Sequence, residues 1–65
     1  MTDYRIYFVD RGGRIARVRE ISCASQSEAS DAARASLDGA FGIELWQDAT
    51  MILKLAADGL VLYLR

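Results

Sequence analysis

Three strand–turn–strand patterns run through this sequence, and a single helix-forming segment separates the first pattern from the other two. Residues 4–9 are rich in aromatic and β-branched side chains, which favours a strand. Residues 14–21 alternate between polar and apolar types, and the glycine-rich turn 10–13 joins the two segments. This part of the chain therefore predicts a β-hairpin.

The helix-forming segment begins at a serine that is followed three residues later by a glutamate. Ser25 and Glu28 have the spacing of a capping box, and helix-forming residues continue to Asp38. Gly39 follows at the position where glycine commonly ends a helix. One face of this helix is small, so we expect the helix to lie close to a sheet. That face consists of Ala29, Ala32, Ala33, Ser36 and Leu37.

Three further strands are predicted at residues 43–47, 51–57 and 60–64, and Asp58-Gly59 is a strong signal for a two-residue hairpin turn. The 65 residues are enough for one domain. We therefore predict a single α+β domain of order ββαβββ, in which one helix packs on one face of an antiparallel sheet. The predicted spatial order of the strands is 2-1-3-4-5, with parallel pairing of the third strand to the second as the alternative.

The turn of the first hairpin sets which side chains share a face. A three-residue loop, 11–13, with Gly13 left-handed places Phe8 opposite Ala16 and Ile6 opposite Val18. A two-residue turn, Gly12-Gly13, would instead place Phe8 opposite Arg17. We favour the first register because it makes one face of the sheet apolar.

The other two hairpins are assigned by the same rule. A loop at residues 48–50 pairs Leu45 with Leu53, Ile43 with Leu55 and Glu44 with Lys54, and the Asp58-Gly59 turn pairs Leu55 with Leu62 and Leu53 with Leu64. The predicted face under the helix consists of Ile6, Phe8, Ala16, Val18, Ile43, Leu45, Leu53, Leu55, Leu60, Leu62 and Leu64.

The opposite face of the predicted sheet lies open, because one helix can cover only one side. Its aromatic and aliphatic side chains exceed the apolar patch that a monomer usually exposes. This face is predicted to carry Arg5, Tyr7, Val9, Ile15, Arg17, Arg19, Glu44, Trp46, Ile52, Lys54, Val61, Tyr63 and Arg65.

A short chain without a disulfide or a metal often gains stability by forming oligomers, and aromatic and arginine side chains are enriched in interfaces. We therefore expect an interaction or regulatory module that forms a homodimer, or binds another protein, through the open face or an edge strand. The predicted interface residues are Arg5, Tyr7, Arg17, Arg19, Trp46, Ile52 and Tyr63.

The alternative function is binding of single-stranded nucleic acid by the same face. The rings of Tyr7, Trp46 and Tyr63 could stack on unpaired bases, and positive side chains would lie around them. Those side chains are Arg5, Arg17, Arg19, Lys54 and Arg65. The formal net charge of −1 argues against a dedicated nucleic-acid binder, so we favour the protein interface.

The residue types present exclude much catalytic chemistry. The chain has no histidine and a single cysteine, so it holds no histidine-dependent triad and no thiolate metal site. Its carboxylates are scattered over turns and the helix surface, and no pair is placed as a general acid and base. We expect no enzymatic activity, no metal and no cofactor, with an enzyme subunit completed by a partner as an alternative.

The single cysteine also bears on location. One cysteine forms no internal disulfide, which fits a reducing cytoplasm, and no apolar run approaches the ~20 residues of a membrane-spanning helix. We therefore expect a cytoplasmic protein without membrane contact. Cys23 is predicted to fill the bend between strand and helix as a small buried hydrophobe, the alternative being a reactive thiol near the helix N-terminus.

Four segments resemble a group of short uncharacterised bacterial proteins. They are residues 4–10 (Tyr-Arg-Ile-Tyr-Phe-Val-Asp), 13–15 (Gly-Arg-Ile), Ala33-Arg34 and 44–47 (Glu-Leu-Trp-Gln). The resemblance covers about residues 4–52 and implies an aromatic first strand, an Asp-to-Gly hairpin turn, an alanine-rich helix and a Glu-Leu-Trp strand. The sequence departs from this group at Asp48, where a glycine is common, and in the longer segment after Leu55. The resemblance implies no activity.

Overall fold

The computed structural model describes residues 1–37 and 41–65, which form five strands and one helix in the order ββαβββ. The strands make one antiparallel sheet of spatial order β2-β1-β3-β4-β5, so the predicted fold class and strand order are confirmed. β1 lies between β2 and β3, which rules out the alternative parallel pairing of those two strands. The elements are β1 (Thr2–Val9), β2 (Ile15–Cys23), α1 (Gln26–Ala35), β3 (Gly42–Gln47), β4 (Thr50–Ala56) and β5 (Val61–Leu64).

The helix begins as its capping residues predict. The hydroxyl of Ser25 accepts a hydrogen bond from the Glu28 backbone N–H at 3.1 Å, which satisfies one of the free amides of the first turn. The helix ends at Ala35, earlier than predicted, with Ser36 as its C-cap. The Ser36 hydroxyl donates to the Ala32 carbonyl and so occupies a carbonyl of the last turn. The predicted end, Asp38-Gly39, lies outside the described residues.

The small helix face packs on the sheet as predicted. Ala29 and Ala33 are fully buried, while Ala32, Ser36 and Leu37 are half-buried. The alanines bring the helix close to the large aliphatic side chains of the sheet, and these side chains form most of the core. The core consists of Tyr4, Ile6, Phe8, Cys23, Ala29, Ala33, Ile43, Leu45, Ile52, Leu53 and Leu55. Cys23 is buried, as predicted for a small hydrophobe at the bend.

The first hairpin has the predicted loop but not the predicted register. Gly13 has a φ of +81°, and its amide donates to the Asp10 carbonyl, so the three-residue loop 11–13 is confirmed. A β-bulge at Ala16 then shifts the ladder by one residue and places Phe8 opposite Arg17. The predicted pairing of Phe8 with Ala16 is wrong, and Val18 lies opposite Tyr7 instead of Ile6.

The second hairpin has the predicted register but a shorter loop. Leu45 lies opposite Leu53, as predicted. Gln47 pairs with Thr50, so the loop is Asp48-Ala49 and excludes Thr50. A bulge at Ile52 adds one residue to β4 and restores the predicted pairing further along the ladder.

The third hairpin has a longer loop than the predicted two-residue turn, Asp58-Gly59. The Gly59 amide donates to the Ala56 carbonyl, and the Ala56 amide donates to the Leu60 carbonyl, which makes a three-residue loop with Gly59 at a φ of +88°. The predicted pairing of Leu53 with Leu64 is confirmed. Leu55 lies opposite Val61, and not Leu62, because Leu62 is the extra residue of a bulge.

The predicted covered face is therefore too wide. Ala16, Val18, Leu60, Leu62 and Leu64 were expected under the helix, and all five are exposed. α1 packs mainly on β2 and β3, while β5 lies at the far edge of the sheet beyond β4. Tyr4 takes a core position that the prediction left empty.

Truncation of Phe8 tests the core. Phe8→Ala removes a ring that is 5% exposed, and we expect a loss of ~3–5 kcal/mol, which is most of the stability of a small domain. Phe41→Ala removes the same atoms from a ring that is 56% exposed, so we expect a change within ~0.5 kcal/mol. Urea unfolding followed by Trp46 fluorescence measures both, and equal losses would contradict the core assignment.

Asp48 offers a second test, of the backbone. It is the one non-glycine residue with positive φ, +53°, in the described chain, and this left-handed backbone region favours glycine. Asp48→Gly should raise the free energy of unfolding by up to ~1 kcal/mol, because glycine lacks the Cβ penalty of left-handed backbone. Ala49→Gly, at the next position, should lower it by ~0.5–1 kcal/mol. Thermal unfolding of both variants checks the sign of each change.

Candidate interaction surface

The face of the sheet opposite the helix carries a cluster of polar and aromatic side chains from three adjacent strands. Arg5 lies opposite Trp46, Tyr7 lies opposite Glu44, and Glu44 in turn lies opposite Lys54. Directly paired residues point to the same face, and their sequence neighbours point into the core. We call these five residues the open-face cluster, and the predicted placement of all five is confirmed.

Glu44 holds the centre of the open-face cluster. Its carboxylate accepts a hydrogen bond from the indole Nε1–H of Trp46 at 3.0 Å and lies 3.8 Å from the ammonium of Lys54. The rings of Tyr7 and Trp46 meet edge to face, with centroids 6.2 Å apart and planes at 88°. Each aromatic ring is half-buried by its neighbours. Trp46, Glu44 and Lys54 therefore pair their polar groups with one another within one copy of the chain.

Arg5 also has partners within the chain. Its Nε lies 3.5 Å from a carboxylate oxygen of Glu20, and both side chains are well exposed. Its interactions with Tyr7, and then the nearby charge of Glu20, raise the pKa of Arg5 above its ordinary value. The two cations of the open-face cluster are thus each matched by a carboxylate.

Arg17 and Arg19 were predicted on the open face, and that placement is wrong. The bulge at Ala16 turns both side chains to the helix side of the sheet, since they pair with Phe8 and Ile6. The guanidinium of Arg17 lies 4.1 Å from the Phe8 ring centroid, which is a cation–π contact over the rim of the core. Arg19 donates to the hydroxyl of Ser36 at the end of the helix.

Of the remaining predicted interface residues, one is buried in the core and one is exposed on the open face. Ile52 is the bulge residue of β4 and is buried in the core, so its predicted open placement is wrong. Tyr63 lies opposite Lys54 on the open face and is exposed. It belongs to β5, at the edge of the sheet.

The edge strand β5 is the feature that the prediction of faces missed. All of its side chains are apolar or aromatic, and with the preceding Leu60 they are between 41% and 61% exposed. The opposite edge, β2, carries Arg17, Arg19 and Glu20. Charged side chains protect a sheet edge from pairing, and β5 has none. The signal was present in the sequence as an uncharged run over residues 59–64.

A polar depression of about 580 Å³ lies beside the open-face cluster, at the end of β1 and β2. Its polar lining includes Asp3, Arg5, Glu20, Ser22 and Asp48, and the Ser22 hydroxyl donates to Asp3. Within residues 1–37 and 41–65 no group of three or more potential metal ligands is found. Nor does that part of the chain contain a helix with the length and apolar character needed to cross a membrane.

Comparison with family models, with curated proteins and with solved structures finds no match to this chain.

The pair of Glu44 and Lys54 allows a quantitative test of the open-face cluster. The Lys54 side chain is 44% exposed, so solvent screening leaves a coupling of ~0.2–1 kcal/mol between the two charges. A double-mutant cycle with Glu44→Gln and Lys54→Met should show this coupling, and ~1 M salt should abolish most of it. The matched cycle on Arg5 and Glu20, which are more exposed, should show no measurable coupling. A coupling above ~2 kcal/mol that salt does not change would contradict this description.

Proposed function

We propose that the chain is a small interaction module that self-associates through the edge strand β5. The observation that carries the proposal is the exposure of every β5 side chain on a strand with no charged residue. Such an edge presents a row of free backbone groups beside apolar side chains, and both favour pairing with another strand. The proposed role is binding and not catalysis.

The charge distribution supports β5 over the other surfaces. Two copies that met through β2 would bring Arg17 and Arg19 of each copy together, which costs energy when like charges face each other. The open-face cluster already pairs its cations with Glu20 and Glu44, so a partner there would have to displace internal contacts. Pairing through β5 requires neither the approach of like charges nor the loss of internal contacts.

The size of the β5 surface sets the expected affinity. Five half-exposed apolar side chains offer on the order of several hundred Å² from each copy, which is less than the ~800 Å² per partner of a standard interface. We therefore expect a weak homodimer, with a dissociation constant in the micromolar range.

The alternative function, binding of single-stranded nucleic acid, has less support. It relied on a face that combines three aromatic rings with five positive side chains. Arg17 and Arg19 lie on the other side of the sheet, and Arg5 and Lys54 lie near carboxylates. The charge that remains on the open face is too balanced to attract a phosphate backbone.

The single free cysteine bears on where the module would act. Cys23 is buried and forms no disulfide, which suits a reducing compartment. The cytoplasm is therefore the proposed location.

A charge placed on β5 tests the proposal. Leu62→Lys should raise the dissociation constant about tenfold or more, because dimer formation would then bury two like charges near each other. Val18→Lys places the same charge on an exposed apolar position of the opposite edge and should leave association unchanged. Sedimentation equilibrium over a micromolar concentration series measures both variants. A wild-type chain that stays monomeric at high micromolar concentration, or a Leu62→Lys variant that associates as tightly as wild type, would contradict the proposal.

A further inference from the structure

We infer that the free edge of β2 binds an extended acidic segment of another protein, which adds to the five-stranded sheet as a further strand. The segment that fits has one apolar residue between two acidic residues. Its acidic side chains lie opposite Arg17 and Arg19, and its apolar side chain lies opposite Val18. β2 and β5 are the two opposite edges of the sheet, so this surface is independent of the proposed self-association.

The backbone of β2 is open to a partner along most of its length. β2 is the outermost strand of the sheet, and β1 is its only partner among the described strands. Residues 15–20 are all exposed, and burial is complete only at Cys23. An edge strand leaves both N–H and C=O groups without partners, and an added peptide strand satisfies both. A phosphodiester backbone carries acceptors only, so the free carbonyls favour a peptide.

The charge at this edge is positive, although the whole chain has a formal net charge of −1. The segment 11–19 contains four of the eight basic residues of the chain and no acidic residue. The carboxylates that flank this segment have other partners. Asp10 accepts two backbone amides of the turn, and Glu20 lies 3.5 Å from Arg5. The excess of positive charge along residues 11–19 favours an acidic partner.

Neutral groups hold Arg17 and Arg19 in place. The guanidinium of Arg17 lies 4.1 Å from the Phe8 ring centroid, and Arg19 donates to the Ser36 hydroxyl at 3.3 Å. In the part of the chain that the structure describes, neither arginine forms an ion pair. These contacts orient the guanidiniums without neutralising them, and each retains N–H donors for a carboxylate. A partner therefore gains charge-assisted hydrogen bonds at a reduced cost in side-chain entropy.

The alternation of β2 defines the sequence of the partner. From Arg17 onward the ladder with β1 is regular, so the faces of the next residues follow from their observed pairs. Arg17 and Arg19 pair with core residues of β1 and share the helix side, whereas Val18 pairs with Tyr7 on the open side. Residues directly opposite each other share a face, and alternate residues repeat at about 6.6 Å in both strands. Val18 is 48% exposed, so an apolar residue opposite it buries apolar surface from both chains.

The arginines also have a simpler role, which is protection of the edge. Like charges on an edge strand oppose pairing with a second copy of the same strand. Protection alone predicts no binding of any added strand. Binding of a strand with opposite charges, dependent on these arginines, therefore distinguishes a docking edge from a protected edge.

Peptide binding to the full chain tests the inference. The probe is an acetylated and amidated peptide as long as β2, nine residues, with threonines around a glutamate–valine–glutamate centre. The control peptide has glutamines in place of the glutamates. We expect the glutamate peptide to bind about tenfold more tightly at low salt, because each opposite-charge pair across a ladder contributes up to about fivefold. Amide chemical shifts of the isotope-labelled chain measure the affinity, and the largest changes should lie at residues 15–20. A salt concentration of ~1 M should remove most of the difference.

Arginine variants show whether the edge itself binds the peptide. Arg17→Gln and Arg19→Gln should each weaken binding of the glutamate peptide about threefold and leave the glutamine peptide unaffected. Arg65→Gln removes the same charge from an exposed position at the end of the chain, just after β5, and should change neither affinity. Arg17→Gln also uncovers the Phe8 ring, so circular dichroism of each variant checks folding. Arg19→Gln loses one exposed hydrogen bond and tests the inference if Arg17→Gln is unstable.

A thymidine trinucleotide separates strand addition from attraction by charge alone, because its two phosphodiesters match the charge of the two glutamates. Much weaker binding of the trinucleotide than of the glutamate peptide supports strand addition. Equal or tighter binding of the trinucleotide overturns the inference and assigns the edge to nucleic acid. Equal binding of the two peptides, chemical-shift changes centred on β5, or no binding at millimolar peptide also overturns it. Sedimentation of the wild-type chain measures self-association separately, so these outcomes leave the proposed function standing or falling on its own test.

Discussion

The size of the single helix relative to the sheet governs this structure. A helix of ten residues is about 15 Å long, whereas five strands span about 19 Å from the first strand axis to the last. The helix therefore cannot cover the whole of one face, and it packs mainly on β2 and β3. The strand left outside this cover is β5, and its leucines are exposed although they alternate as core residues do. Coverage by the helix, and not the pattern of the strand, decides their burial.

The composition of the helix strengthens this effect. Ala29 and Ala33 bring the helix close to the sheet but add little volume of their own, so the core depends on the large side chains of the strands. A domain of this size buries only about 60% of the surface of its unfolded chain. The apolar surface that β5 leaves in solvent is therefore large relative to the core. Association through β5 would add to a hydrophobic layer that one copy cannot complete.

Much of the fold follows from local signals in the sequence. Three features each depend on only a few neighbouring residues, and the structure has all three. They are the capping box at Ser25, the glycine turn that ends at Gly13 and the alternating strands. The order of the strands also follows, because antiparallel hairpins and the crossing of one helix leave few topologies. These parts of the fold were predicted because short-range geometry determines them.

Which side chains lie on the candidate surface depends on the β-bulges. Local sequence patterns do not reveal where a bulge occurs. Each hairpin contains one extra residue, Ala16, Ile52 or Leu62, and one extra residue reverses the face of every side chain beyond it. At Ala16 the reversal allows the guanidinium of Arg17 to cover the Phe8 ring, so the helix side gains a cation–π contact. At Ile52 the bulge buries an isoleucine that regular alternation leaves open. The energy of such tertiary contacts selects the register. The residue pattern of a single strand does not reveal these contacts, so it cannot predict the register.

The bulge at Leu62 also affects how many copies the proposed self-association can join. An edge strand that is long, flat and apolar leads to open-ended aggregation, whereas β5 has only four residues and is bent by the bulge at Leu62. Antiparallel pairing of β5 with β5 is two-fold symmetric and uses up that edge in both copies. Further growth would have to proceed from β2, where Arg17, Arg19 and Glu20 oppose pairing. One apolar edge and one charged edge in the same sheet therefore favour an assembly that stops at two copies.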